Sequence, residues 1–74
     1  MRLIIKLKDV LKDRGITQKE LETISSVPQS KISSLCNNKF SELNIANLEK
    51  IATALNITDI SELMQFEKEE SPTE

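Results

Sequence analysis

The side chains that could do chemistry in this sequence are polar groups suited to hydrogen bonding and ion pairing. Gln29 carries an amide that both donates and accepts, and the hydroxyls of Ser30, Ser33 and Ser34 and the cation of Lys31 follow it closely. A glutamine amide can pair with N6 and N7 of adenine, and a serine hydroxyl can donate to a base or a phosphate. This segment predicts a surface that reads the edges of base pairs. The alternative is a Ser-rich helix face that is only solvated.

A second set of polar residues flanks this segment on both sides. Gln18 and Lys19 lie at the start of the preceding helix, where free N–H groups and the positive end of the dipole favour a phosphate oxygen. Asn37, Asn38 and Lys39 come directly after the Ser-rich helix and are predicted to contact a nucleic-acid backbone. The alternatives are solvated helix positions for Gln18 and Lys19 and turn formation for the asparagines, of which Asn38 could serve both roles.

Covalent catalysis is not expected from this composition. The chain has no His, and Cys36 is a lone thiol without a neighbouring base in the sequence. There is no Gly-rich phosphate loop and no carboxylate pair with a plausible pocket. The sequence therefore predicts a protein that is not an enzyme, with no cofactor, no metal and no small-molecule substrate.

Two short helices joined by a tight turn are predicted to carry the polar face. Thr17 and Glu20 form a capping-box pattern at the start of helix 2, which is predicted to end near residue 24. Residues 25–27 form the turn, and Pro28 suits the first turn of helix 3, which is predicted to end near Cys36. The predicted core side chains of these two helices are Leu21, Ile24, Ile32 and Leu35.

Three further helices and an N-terminal arm complete the predicted fold. Helix 1 covers residues 6–14 and ends at Gly15, and Asn44 caps helix 4. Helix 5 follows a cap at Thr58 or Asp59. The apolar residues predicted to face the core are Ile45, Leu48, Ile51, Ala52 and Leu55 in helix 4, and Ile60, Leu63 and Met64 in helix 5. The apolar residues 2–5 predict a short strand or an arm that covers either a partner chain or the domain's own core.

Length and charge favour one small domain with an unequal charge distribution. The 74 residues are divided into a domain at 1–66 and an acidic, disordered tail at 67–74. Residues 1–40 carry eight Lys/Arg and four Asp/Glu, a net +4, whereas residues 41–74 carry two Lys and eight Asp/Glu, a net −6. Such asymmetry indicates that the first half contacts nucleic acid. The lone cysteine and the lack of a signal or membrane-spanning pattern predict a cytoplasmic protein.

In their order and spacing, these motifs resemble the Cro-type phage repressor helix-turn-helix family, also called the XRE family. The likeness covers about residues 6–64. The matching motifs are Thr17-Gln18-Lys19-Glu20-Leu21, Val27, Ile32-Ser33-Ser34-Leu35, Asn37-Asn38-Lys39 and Leu48-Glu49-Lys50-Ile51-Ala52-Thr53-Ala54-Leu55. Two positions depart from the family pattern: Glu22 replaces a small residue, often Ala, and Ser26 replaces a turn glycine.

The resemblance implies an all-α, five-helix lambda-repressor-like domain that binds double-stranded DNA through helices 2 and 3. The expected function is that of a transcriptional regulator, a repressor acting as a homodimer on a pseudo-palindromic operator. The residues expected at DNA are Gln18, Lys19, Gln29, Ser30, Lys31, Ser33, Ser34, Asn37, Asn38 and Lys39. The alternative is a helix-turn-helix interaction module, similar to an antitoxin or antirepressor, whose main partner is a protein.

Overall fold

Four helices and one small sheet build the domain. The computed structural model describes residues 1–68. The elements in chain order are β1 (Arg2–Ile5), α1 (Leu7–Arg14), α2 (Gln18–Ser25), α3 (Gln29–Cys36), α4 (Ile45–Leu55), a 3-10 turn (Ile60–Glu62) and β2 (Met64–Glu67). The predicted first four helices are confirmed. Within the described residues the predicted fifth helix is wrong, because a single 3-10 turn and a strand stand in its place.

The segment after α4 extends because a strand partner is available at the other end of the chain. The Asp59 carboxylate does cap the turn, accepting from the backbone N–H of Ser61 at 2.9 Å. Beyond that turn, β2 runs antiparallel to β1, with Leu3 opposite Phe66 and Ile5 opposite Met64. These four side chains share one face of the sheet, since alternate residues of a strand point the same way. The spacing of apolar residues at 60–64 fits a helix, but the structure follows the alternation of apolar and polar residues from Met64 to Glu67, which is typical of a strand.

The predicted acidic tail falls mostly beyond the described part of the chain. Glu67 is the last residue of β2, so the boundary predicted between residues 66 and 67 lies within the strand. Residues 69–74 of the predicted tail lie outside the described residues. None of the helices described between residues 1 and 68 is long and apolar enough to cross a membrane.

The ends of the outer helices follow local rules. Gly15 closes α1 in the left-handed conformation, with φ of 66°, and Asn56 closes α4 in the same way with φ of 56°. Asn44 caps α4, its Oδ1 accepting from the N–H of Asn47 at 3.1 Å. The predicted caps at Gly15 and Asn44 are confirmed.

One apolar core joins all the elements. Its buried members are Ile5, Leu7, Leu11, Leu21, Val27, Ile32, Leu35, Cys36, Ile51, Leu55, Ile57 and Leu63. The arm folds back on this core, since Ile5 is buried and Lys6 donates its N–H to the carbonyl of Leu63 at 2.7 Å. The intramolecular alternative for the arm is thus confirmed.

Three apolar side chains predicted to face the core are exposed instead. Ile24 is 53% exposed, Ile45 69% and Ile60 66%. In α2 the inward position after Leu21 is four residues on, at Ser25, where the hydroxyl donates to the Leu21 carbonyl at 2.6 Å. Ile45 lies in the first turn of α4, beyond the edge of the core. Ile60 lies in the 3-10 turn, which does not continue the helical stripe predicted for it.

Candidate nucleic-acid interface

The amino end of α2 is closed by a capping box that leaves two backbone donors facing outward. Thr17 Oγ1 accepts from the N–H of Glu20 at 3.0 Å, and Glu20 Oε1 accepts from the N–H of Thr17 at 2.8 Å. The first N–H groups of a helix have no partner within it, and those of Gln18 and Lys19 are the two that the box does not use. The side chain of Gln18 is half-buried and that of Lys19 is exposed. This end of α2 can hold a phosphate oxygen.

The turn between α2 and α3 is held by a strained residue and a buried hydroxyl. Ser26 has φ of 63°, the left-handed conformation predicted for the position where the family prefers Gly. Ser25 Oγ accepts from the N–H of Val27 at 3.2 Å, and Val27 is fully buried beneath the turn. Pro28 precedes α3 as its N-cap instead of lying in its first turn, with ψ of 140°. The hydrogen bond from Val27 to the Ser25 hydroxyl was not predicted, although a Ser at the start of a predicted turn is a residue that often makes such a bond.

The outer face of α3 presents the predicted base-reading groups unevenly. Gln29, Ser30 and Lys31 are exposed, whereas Ser33 and Ser34 are half-buried. Gln29 lies at the first helical position, where the side chains of a recognition helix reach base edges. The amino end of α3 is therefore the more accessible part of the predicted reading surface.

Two of the predicted reading residues use hydroxyl groups within their own helix. Ser34 Oγ donates to the Ser30 carbonyl at 3.0 Å, and Asn37 Nδ2 donates to Ser33 Oγ at 3.4 Å. Because the hydroxyl proton of Ser34 is engaged, that side chain is left as an acceptor. Ser33 keeps its own hydroxyl proton for an external partner.

Asn38 has a structural task that the sequence did not reveal. Its φ of 55° confirms the predicted role in the turn after α3. Its amide lies alongside β1, accepting from the N–H of Ile5 at 2.7 Å and donating to the carbonyl of Ile5 at 3.2 Å. The side-chain amide of Asn38 thus satisfies both backbone groups of Ile5, as a neighbouring strand would. Contact of this loop with a nucleic-acid backbone rests on its neighbours Asn37 and Lys39, which are exposed.

A polar cleft of about 410 Å³ lies between α3 and the start of α4. It brings together three predicted residues, Lys31, Ser34 and Lys39, although they come from a helix and the loop that follows it. The other residues lining the cleft are Leu35, Phe40, Ser41, Glu42, Asn44 and Asn47. Asn44 and Asn47 were not predicted as contact residues, because the sequence pattern explains Asn44 as the cap of α4 and gives no reason to single out Asn47. Gln18 and Lys19 lie outside this cleft.

Neither a metal centre nor a reactive thiol is found at this surface. Burial raises the pKa of the Cys36 thiol, and the positive charge of Lys8 offsets part of that rise. The thiol therefore remains protonated, and it is only 4% exposed. Among residues 1–68 there is no group of three His, Cys, Asp or Glu side chains that could hold a metal ion.

Comparison with known proteins identifies the fold family. The family model of the Cro/C1-type helix-turn-helix DNA-binding domain matches residues 6–69. Neither the curated proteins nor the solved structures give a match. The matched range contains α1 to α4 and the whole surface described above. The chain belongs to the Cro/C1-type helix-turn-helix DNA-binding domain family.

Proposed function

We propose that the protein is a sequence-specific repressor that binds double-stranded DNA as a homodimer on a pseudo-palindromic operator. The observation that carries this proposal is the juxtaposition along one helix-turn-helix of an exposed Gln29, the open amino end of α2 and the cleft of Lys31 and Lys39. Gln29 reads bases from the amino end of α3, while the two flanks hold the phosphate backbone. Repression requires only that a promoter is occupied, so it needs no surface for recruiting a polymerase.

The charge distribution supports a duplex as the partner. The half of the sequence that contains α2 and α3 has a net charge of +4. Binding to DNA is dominated by cations that neutralise phosphates, and α3 itself contributes only Lys31. We expect Gln18, Lys19, Asn37 and Lys39 to supply the remaining backbone contacts. Ser30, Ser33 and Ser34 lie beside Gln29 and complete the reading face.

The size of the reading helix supports a homodimer. One eight-residue helix reads only a few base pairs, and two copies on a two-fold axis double the length of the site. A predominantly apolar groove of about 580 Å³ lies between α4 and the segment that leads into β2. The residues lining it are Leu43, Ile45, Leu48, Glu49, Ala52, Ile57, Thr58, Ile60, Leu63 and Met64.

The occupant that best fits this groove is a second copy of the chain. Ile45 and Ile60 both line the groove and project from it, being about two-thirds exposed. A surface that carries both the groove and the side chains to fill it is self-complementary, as a two-fold interface must be. Glu49 is the one charged residue in the lining.

Binding to mixed-sequence duplex over a range of salt concentrations tests the DNA proposal. The wild-type protein should bind at low salt and lose affinity steeply as salt rises. Replacing Lys39 by Ala should reduce the log–log slope by about one, because one phosphate contact is lost. Lys68→Ala is the matched control, since Lys68 is exposed and follows β2 at the end of the sheet where Arg2 pairs with Glu67. Absence of binding to duplex at low salt would overturn the proposal.

Selection from a random duplex library tests the reading role of Gln29. Gln29→Ala should lose base preference at one position in each half-site, at a cost of about 1–3 kcal/mol on the selected sequence. An equal loss on every sequence would make Gln29 a positioning residue.

Sedimentation equilibrium tests the dimer surface. Ile60→Asp should shift the protein to monomer and weaken binding to a selected two-half-site duplex, with binding to a single half-site unchanged. Ile24→Asp is the control, because Ile24 is comparably exposed but does not line the groove. A wild-type protein that binds the two-half-site duplex as a monomer would contradict the dimer.

A protein-binding helix-turn-helix module is the second candidate. The observations that favour it are the net charge of −6 in residues 41–74 and the same apolar groove. It becomes the preferred function if the wild type shows neither binding to duplex nor self-association.

A further inference from the structure

The two helices of the helix-turn-helix differ in what closes their amino ends. At α2 the capping box joins Thr17 and Glu20 and leaves the N–H groups of Gln18 and Lys19 free. At α3 the N-cap residue is Pro28, which has no side-chain acceptor, and a carboxylate from α2 takes that role. Glu22 Oε2 accepts from the N–H of Gln29 at 3.0 Å. The acceptor thus comes from seven residues back in the chain, and its side chain is half-buried.

This contact places a negative charge at the amino end of α3, the end that is proposed to enter the major groove of DNA. The amino end of a helix carries about half a positive charge and ordinarily favours an anion. A full negative charge from Glu22 exceeds that value. The first helix of the motif therefore offers its amino end to a phosphate, whereas the second has its amino end already occupied by an internal anion.

We propose that Glu22 is a specificity-determining residue that acts by repulsion, lowering the affinity of α3 for DNA in registers where a phosphate approaches its amino end. This inference rests on the proposed DNA-binding function. In the specific register, the amino end of α3 meets base edges in the major groove, and Gln29 makes its contacts there. In other registers we expect a phosphate to approach the helix end, where the Glu22 carboxylate repels it. Discrimination between partners is then gained by penalising the wrong one.

The same carboxylate also positions Gln29. It holds the backbone N–H of the reading residue at the point where α3 begins. Loss of the charge and loss of the hydrogen bond are therefore separable effects. Glu22→Gln keeps an oxygen acceptor of the same reach and removes the charge, whereas Glu22→Ala removes both.

The test compares affinities for two duplexes, one of mixed genomic sequence and one selected by the wild-type protein from a random library. Glu22→Gln should raise affinity for the mixed duplex by about two- to fivefold at low salt, and the gain should disappear at high salt. Affinity for the selected duplex should change less, so the ratio of specific to non-specific affinity falls. Glu22→Ala should show the same gain on mixed duplex together with a loss on the selected one, because Gln29 is no longer held.

Glu67→Gln is the matched control for the charge change. Glu67 is exposed and pairs with Arg2 at the end of the sheet away from Ile5 and Asn38. None of the residues proposed to contact DNA lies in either strand. This control should alter both affinities equally. A Glu22→Gln variant that gains equally on both duplexes, or on neither, would overturn the inference while the wild type still binds DNA. A wild type that does not bind duplex would instead overturn the proposed function.

Discussion

The helix-turn-helix and the small sheet are stabilised by contacts of very different range. Within residues 17–36, the side-chain hydrogen bonds join groups no more than seven positions apart, as in the Thr17–Glu20 box and the Glu22–Gln29 contact. In the sheet, Arg2 pairs with Glu67, and Ile5 is bound by Asn38, 33 residues away. The conformation of the helix-turn-helix can therefore be determined by residues close in sequence, whereas the sheet forms only when both ends of the domain come together.

This difference teaches which part of the chain determines the surface and which part closes the domain. The groups on α2 and α3 that are proposed to contact DNA are placed by short-range contacts, whereas Asn37 and Lys39 flank Asn38, which is held by the long-range contact with Ile5. The sheet joins the start of the chain to the segment after α4 and covers the core at Ile5 and Leu63. Substitutions in the sheet should consequently weaken global stability, and substitutions in the turn should have smaller, local effects.

The largest effect is expected from breaking the contact between Asn38 and β1. Asn38→Ala should lower the free energy of unfolding by about 2–3 kcal/mol, from two hydrogen bonds of about 1 kcal/mol each and about 1 kcal/mol of left-handed strain. Asn56→Ala is the control, because Asn56 has almost the same φ and its side chain makes no hydrogen bond to any residue between 1 and 68. It should cost about 1 kcal/mol. Urea unfolding of both variants measures the difference, and equal losses would show that the contact contributes nothing.

A smaller effect, of opposite sign, is expected at the turn. Ser26→Gly should raise the free energy of unfolding by up to about 1 kcal/mol, because Gly adopts φ of about 60° without strain. Ser34→Gly, in the interior of α3, should instead lower it by about 1 kcal/mol. Thermal and urea unfolding check both signs. Destabilisation by Ser26→Gly would mean that the serine at this position is not strained.

The smallest effect concerns the turn that leads into β2. The backbone N–H and the hydroxyl of Ser61 lower the pKa of Asp59, and the positive charge of Lys6 acts in the same direction. A carboxylate whose pKa is lower in the folded state stabilises the fold above its unfolded pKa of about 3.9, and this stabilisation is lost as the pH falls through the folded value. Ser61→Ala should therefore move the Asp59 titration to higher pH, as measured by NMR. An unchanged midpoint would contradict the contribution of the Ser61 hydroxyl, since the backbone N–H is kept in this variant.

Residues 17–36 could be predicted because their determinants are local. A Thr three residues before a Glu indicates a capping box wherever it begins a helix, and Gly15 and Asn44 end or begin helices by the same kind of rule. The structure bears out each of these. The prediction for Ile24 is wrong, because the positions three and four residues after Leu21 both fit the inward face of α2 and the structure buries the second. The sequence alone could not exclude Ser25 as the buried one.

The remaining features could not be read from the sequence because they depend on partners far along the chain. Spacing of Ile60, Leu63 and Met64 fits a helix equally well, and only pairing with β1 selects the strand. In the same way, the pattern predicts Asn38 for the turn, for contact with a nucleic-acid backbone, or for both, and it does not reveal the contact of its amide with Ile5. The cleft that joins Lys31 and Lys39 to Asn44 likewise needs α3 and α4 to be packed first.

The hydrogen bond from the Ile5 N–H to Asn38 offers a way to detect binding of a duplex by hydrogen exchange. The amide proton of Ile5 can exchange with solvent only when Asn38 releases it, and Asn38 lies in the loop that directly follows the reading helix. A duplex that holds this loop in place through Asn37 and Lys39 will slow that release. Deuterium uptake at one amide of an N-terminal strand will then record an event on the recognition surface.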